Sequence, residues 1–395
     1  MKFFRSRLFL AIGFIVILFL ASPQSISGLE QGVNAEINTV IQEELAGLNL
    51  DQITSFLSRL DTETKELLPV WDPLAWVRGR MDLDFPGILK NVTRFLGREI
   101  VINLTLLGKL IILAVIGGVL VHFQQAWSGE SLGNLVYNII YLILMGLAVQ
   151  SFTTTLNLAN QTLERVNGFI LALLPTIFTL LAAAGGVTLT TVCHPVIWGG
   201  TGLILSMVKN LVLPLILLAG TVGMVSRMAE GFALNKFSEV ARNLAIVILG
   251  LLVTIFLGVI SIQGVTVAVA DGVGLKTAKF LTGNLLPLVG GTVADSLELA
   301  AGCSVLIKNA IGAFGAIAVI LLCLYPALKI LVVSFIYRIA AVFVQPLGQE
   351  RLADSLQEIG KTVMVIFATV VIVGLMFFFS LTILVGLGNL TAVIR

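Results

Sequence analysis

The sequence predicts an all-α, polytopic membrane protein, and three observations carry that reading. Of its 395 residues, 57% are hydrophobic and only 12% are charged, against about 25% charged in an ordinary soluble domain. Mean hydropathy is +1.04. Apolar runs of about 20 residues recur along the chain, the length that crosses a hydrocarbon core as a helix. The net charge of +2 supplies neither the basic footprint of a nucleic-acid binder nor an acidic tail, so the expected surroundings are membrane and protein.

The chain opens with Lys2, Arg5 and Arg7, then an apolar run over 8–21 and the small, polar SPQSISG. This is the layout of a secretory signal, and residues 1–28 are read as a signal peptide cleaved near Ser27 or Gly28. An uncleaved anchor is the alternative, because no clean A-x-A site is present. Either way the next segment is translocated. Residues 29–100 hold 12 acidic and 7 basic residues with helical periodicity, which predicts a small helical extracytoplasmic domain. Val33, Ile37, Val40, Ile41, Leu45 and Leu48 form one apolar stripe. Asp51 can cap a second helix, striped by Ile53, Phe56, Leu57 and Leu60. The domain ends in an interfacial amphipathic helix: Ile88, Leu89, Val92, Phe95, Leu96 and Ile100 oppose Lys90, Arg94 and Arg98.

Residues 101–395 form the multi-pass part, with about seven spans near 103–123, 135–156, 168–191, 196–219, 244–265, 309–331 and 362–387. Between Val166 and Val208 there is no Asp, Glu, Lys or Arg, room for two spans, and the Cys193-His194-Pro195 triplet is the expected turn between them. Tyr325-Pro326 leaves 309–344 as either one kinked span or two short ones. With a translocated amino terminus, seven spans put the carboxyl end in the cytoplasm. Lys276, Lys279, Lys308 and Arg395 then lie inside against six Lys or Arg outside, which the positive-inside bias does not favour. Two sets of short matches follow in the same order: SMVKN at 206–210 against SVLIKN at 304–309, and SEVARNLAIVI at 238–248 against QEIGKTVMVI at 357–366. An internal repeat would explain them and make the Lys-Asn pairs equivalent; chance in an apolar text explains them equally.

Residues 270–309 are neither loop nor span. Lys276, Lys279, Asp295 and Glu298 are too polar for lipid, while 280–291 is apolar but too short to cross. A re-entrant or buried polar segment fits, with Asn284, Pro287, Gly290 and Gly291 as its bend and the four charges at the interface. Charges inside spans face a polar interior or snorkel to the headgroups. Lys209 with Asn210, and Lys308 with Asn309, are the candidate pore-lining or buried polar residues, because an adjacent Asn suits an interior better than a membrane edge. His122 and His194 have no companions at ligand spacing, so no metal site is expected. Catalytic and cofactor motifs are absent, and no enzyme is predicted.

The signal peptide, the acidic helical outer domain, DFPGILKNVTRFLGREI at 84–100 and GVGLKTAKFLTGNLLPLVGGTVADSLE at 272–298 together resemble the stage III sporulation protein AE family. The resemblance covers the chain from residue 29 onward and is most specific over 272–309. It implies a multi-pass subunit of the mother-cell-to-forespore channel, or feeding tube, in the mother-cell-derived membrane around the forespore, required for late forespore gene expression. Implied partners are the other proteins of the stage III sporulation A operon, including a secretion-type ATPase and ring-forming subunits, and a forespore membrane partner. The family supplies no catalytic residues. An autonomous secondary transporter and a purely structural scaffold are the alternatives.

Overall fold

The computed structural model describes residues 33–65, 68–79, 85–127, 130–228, 234–285 and 290–394; residues 1–28, expected to be a signal peptide, lie outside them. Contacts divide the chain into residues 1–40 and 41–395. The described part of the first unit is the beginning of one helix, and the second unit holds everything below.

Four short helices, α1 (Val33–Gly47), α2 (Asp51–Ser58), α3 (Thr62–Lys65) and α4 (Pro73–Val77), precede the long ones. Helix α4 starts where it does because Asp72, in extended conformation, accepts the N–H groups of Leu74 and Ala75, and Pro73 takes the position where no N–H is needed. The long helices are α5 (Phe85–Trp127), α6 (Glu130–Ala183), α7 (Val187–Met207), α8 (Leu213–Met228), α9 (Asn235–Leu285), α10 (Gly290–Val344) and α11 (Glu350–Ile394). A π turn (Val208–Val212) joins α7 to α8 as one rod, and a 3-10 turn (Gln345–Leu347) lies between α10 and α11. No strand occurs among the described residues.

Among the described residues six stretches are long and apolar enough to cross a membrane: Leu89–Val119, Ile139–Ala183, Val187–Arg227, Lys236–Thr277, Leu299–Leu347 and Glu350–Ile394. The protein is a polytopic helical membrane protein. The predicted segments at 135–156 and 168–191 fall largely on one helix, α6, whose 54 residues extend about 80 Å, well beyond a bilayer. Residues 85–100 likewise run unbroken into the α5 span, and Pro326 lies inside a continuous α10.

The hairpin expected at Cys193-His194-Pro195 is placed differently. That triplet is inside α7, and the chain reverses at residues 184–186. Glycine decides this. Gly185 has φ +100°, a conformation that costs a side-chain-bearing residue but not Gly. The Gly186 N–H reaches Leu181 O and the Gly185 N–H reaches Ala182 O, both at 2.9 Å, the paired bonds that close a helix on a left-handed residue. The next helix begins without a cap of its own. Instead the Asp271 carboxylate, from α9, accepts the N–H groups of Leu189 at 2.7 Å and Thr188 at 3.3 Å, placing a negative charge at the positive end of α7.

Helices α6, α10 and α11 are the most enclosed, and α5 and α9 the most peripheral. On α9, Val240, Leu244, Val247, Leu251 and Ile255 are all exposed at helical spacing, a lipid-facing stripe. With α7 and α8 counted as one rod, long helices consecutive in sequence alternate in direction, so α9 and α11, which pack together, run parallel. At the end near Gly348, Gln349 Nε2 donates to Ala114 O at 3.0 Å, Tyr141 Oη donates to Met224 O at 2.7 Å, and Ser238 Oγ donates to Ala219 O at 2.6 Å. At the end near Gly185, Asp271 caps α7 and Thr391 Oγ1 donates to Ala268 O at 3.4 Å. Residues 41–77 pack along the half of the bundle that leads to the Gly185 end. Thr176 Oγ1 donates to Asn49 O, Phe56 lies 5.3 Å from Phe169, and Trp71 and Trp76 meet Phe314 at 4.5 and 5.3 Å between ring centroids. The last helix finishes beside Gly272, so it ends on the side of the bundle where residues 41–77 pack.

Candidate functional site

Charges within a membrane bundle are costly, so the site is built from the residues that the helices force inside. Lys308, on α10, is fully buried. Its Nζ donates to Val385 O and Asn389 Oδ1 on α11, both at 2.9 Å. Gly388 makes the room: a Cβ there would stand 2.3 Å from Nζ. An ammonium has three donors, and two are engaged. No carboxylate pairs with it among the described residues. Beside it, the Asn309 side-chain oxygen is buried without a hydrogen-bond partner among the described residues.

Lys209 and Asn210 occupy the π turn. Lys209, 31% exposed along its side chain, pairs with Glu164 of α6, and Asn210 Nδ2 donates to Ser206 Oγ at 3.1 Å. The two Lys-Asn pairs are not brought together. Lys209 lies midway along the α7–α8 rod, whereas Lys308 lies in the first half of α10, and each bonds to a different helix. Lys329 resembles Lys209 more closely, since it too pairs with a glutamate of a neighbouring helix, Glu99 of α5 at 3.4 Å. Lys209 thus pairs with a carboxylate and Lys308 with neutral oxygens, so the two pairs do not share a set of partners.

Of the segment at 270–309, α9 continues to Leu285 and α10 starts at Gly290. Pro287 lies outside the described residues, as do the side chains of Lys279, Asn284, Gly290, Gly291, Asp295 and Glu298. Lys276 is exposed. Asp271, polar and apparently misplaced in an apolar text, is explained by its cap on α7.

The largest charge cluster was not among the sequence candidates. Glu358, on α11, is 5% exposed. Its carboxylate meets Arg227 Nη2 of α8 at 3.0 Å, Arg242 Nη2 of α9, and Lys361 Nζ of its own helix at 3.7 Å. Arg227 Nη1 also donates to Gly223 O at 2.7 Å. A signal was present: the matched stretches at 238–248 and 357–366 contain Glu239-x-x-Arg242 and Glu358-x-x-Lys361, pairs one helical turn apart. The fold carries both to the Gly348 end, where they touch. Two carboxylates outside the spans are also perturbed. Burial holds Glu44 above its ordinary value although Ser304 Oγ donates to it. For Asp61 burial pushes upward, but the Thr64 hydroxyl, backbone N–H groups and Arg165 outweigh it and bring the carboxyl below its ordinary value. The three cysteines are buried and free. Among the described residues no group of three His, Cys, Asp or Glu could hold a metal.

The chain matches the family model described as stage III sporulation protein AE over residues 72–388. It is 37% identical over 356 residues to "Stage III sporulation protein AE" of Bacillus subtilis (strain 168), covering 89% of this chain and 88% of that protein. No solved structure matches it. A six-span helical bundle with charges inside, matched along nearly its whole length by these two comparisons, belongs to the stage III sporulation protein AE family.

Proposed function

We propose that the chain is a non-enzymatic membrane subunit of the mother-cell-to-forespore channel, acting in the mother-cell-derived membrane during endospore formation. Family membership supplies the sporulation role; the channel is what the family resemblance implies, and one residue supports a polar path through this subunit. The observation that carries it is Lys308, an ammonium fully buried among membrane helices and, among the described residues, hydrogen-bonded only to neutral oxygens. A lysine kept only to anchor a helix would reach the headgroups. One kept inside, at the cost of desolvation, marks a polar interior near a solute path. Residues 29–100 would stand in the space between the two forespore membranes and dock the other proteins of the stage III sporulation A operon, among them its ATPase and ring-forming subunits. The forespore partner would meet them there.

The test replaces Lys308 by Leu in sporulating cells. Spore titre is expected to fall roughly tenfold or more while protein accumulation holds, because a buried lone charge contributes little to stability. Copurification of the variant with the operon's other products would separate lost transport from lost assembly. Normal spore titres with Lys308→Leu would remove the observation on which the reading stands.

A further inference from the structure

The Glu358 cluster holds more cation than its carboxylate can satisfy. Arg227, Arg242 and Lys361 come from three helices and share the two oxygens of one buried glutamate. Among the described residues the other acids nearby, Asp354 and Glu239, are exposed on the rim and screened by water. Donors outnumber acceptors: Arg242 Nε is buried with no hydrogen-bond acceptor among the described residues. Guanidinium and ammonium groups converging on one point, as these do on Glu358, are the groups that recognise an oxyanion. Side-chain exposure rises from 15% at Arg242 through 21% at Arg227 to 37% at Lys361, so Lys361 is the most accessible of the three. Beside the cluster, the exposed apolar residues Phe237, Val240 and Leu244 of α9 offer a surface for hydrocarbon.

We infer that Arg227, Arg242 and Lys361 form a binding site for a phosphate oxyanion at the Gly348 end of the bundle. The chemistry is that of a phosphate group, and the adjoining apolar stripe fits the headgroup of an anionic phospholipid whose chains lie along α9. Lipid bound there would tie α8, α9 and α11 together at the membrane edge.

The test uses the full chain in detergent, following thermal unfolding while dioleoyl-phosphatidylglycerol, dioleoyl-phosphatidylcholine or inorganic phosphate is added at matched ionic strength. Phosphatidylglycerol is expected to raise the unfolding midpoint at about one tenth the concentration that phosphatidylcholine needs. Arg242→Gln and Lys361→Gln are each expected to weaken the phosphatidylglycerol effect about tenfold and to leave the phosphatidylcholine effect unchanged. If inorganic phosphate stabilises the protein and the same variants abolish that, the site stands and its ligand is a free oxyanion. Should Arg242→Gln fail to fold, the more exposed Lys361→Gln decides. Absence of any shift in the unmodified protein with either phosphatidylglycerol or phosphate, or shifts in both variants as large as in the unmodified protein, would overturn the site.

Discussion

Glu44 is a carboxylate placed where ionisation is unwelcome. Burial raises its pKa above the ordinary 4.5, so the folded protein binds that proton more tightly than the unfolded chain does. Its contribution is therefore favourable below 4.5 and is lost as pH rises through the raised value. The thermal midpoint is expected to fall over that window, and Glu44→Gln, which keeps an acceptor for Ser304 Oγ, should flatten the fall. A pH profile identical in the two proteins would show that Glu44 does not titrate against this background. Asp61 acts with the opposite sign, since its depressed pKa stabilises at neutral pH and loses that effect in acid. Glu358 shows what one residue does for a helix packing: its carboxylate is an acceptor common to α8, α9 and Lys361. Removing one member of such a set leaves uncompensated buried charge and costs about 3–5 kcal/mol. Glu358→Gln should therefore reduce accumulation in the membrane sharply, measured by immunoblot against Asp354→Asn as an exposed control.

At the scale of elements, the connection at 184–186 depends on Gly185. Gly185→Ala should destabilise by about 1–3 kcal/mol, because it forces a positive φ on a residue with a Cβ, and that Cβ would meet the Leu275 side chain. Gly199→Ala, in the interior of α7 with nothing within 4 Å, should be neutral or slightly stabilising; unfolding midpoints of the two variants make the comparison. This turn also shows where sequence reading stopped. Helices were legible because apolar runs and their period are local, and the existence of a hairpin within 166–208 followed from a charge-free run too long for one span. Its position was not, because Pro195 looks like a stronger breaker than a Gly pair, yet Pro195 fits within α7 while Gly185 has the φ that reverses the chain. Lys308 was legible as a costly charge. Its partners, Val385 and Asn389, lie about 80 residues away on another helix, and nothing local announces such a pairing. The Glu358 cluster was written twice in the text, at 239–242 and 358–361, but only the packing of α9 on α11 turns two short motifs into one group.

For the whole molecule, the number of spans sets which side each end faces. Six helices return α11 to the side where residues 41–77 pack, so the carboxyl end and those residues are expected on one face of the membrane, in place of the opposite faces that seven spans require. The same change moves Arg227, Lys236, Arg242, Arg351 and Lys361 to the other face, the cytoplasmic one if residues 41–77 are translocated, and this is the arrangement that the positive-inside bias asks for. Single cysteines at Glu43, Val393 and Asp354 check it, since all three positions are exposed and the native cysteines are buried. An impermeant thiol reagent added outside should label Glu43→Cys and Val393→Cys but not Asp354→Cys; labelling of Glu43→Cys together with Asp354→Cys would restore an odd count. The π turn at 208–212 has a consequence of another kind for the long rod. Such a turn holds one residue more than a regular helix needs, which amounts to an insertion absorbed without disturbing the helical phase on either side. The rod should therefore accept a deletion there and refuse it elsewhere. Loss of Leu211 would leave α7 and α8 facing their present neighbours, while loss of Gly202 would rotate everything after it by about 100° and swing the exposed Leu218 and Val225 towards the core. The protein can be shortened by one residue at its polar midpoint and keep its packing.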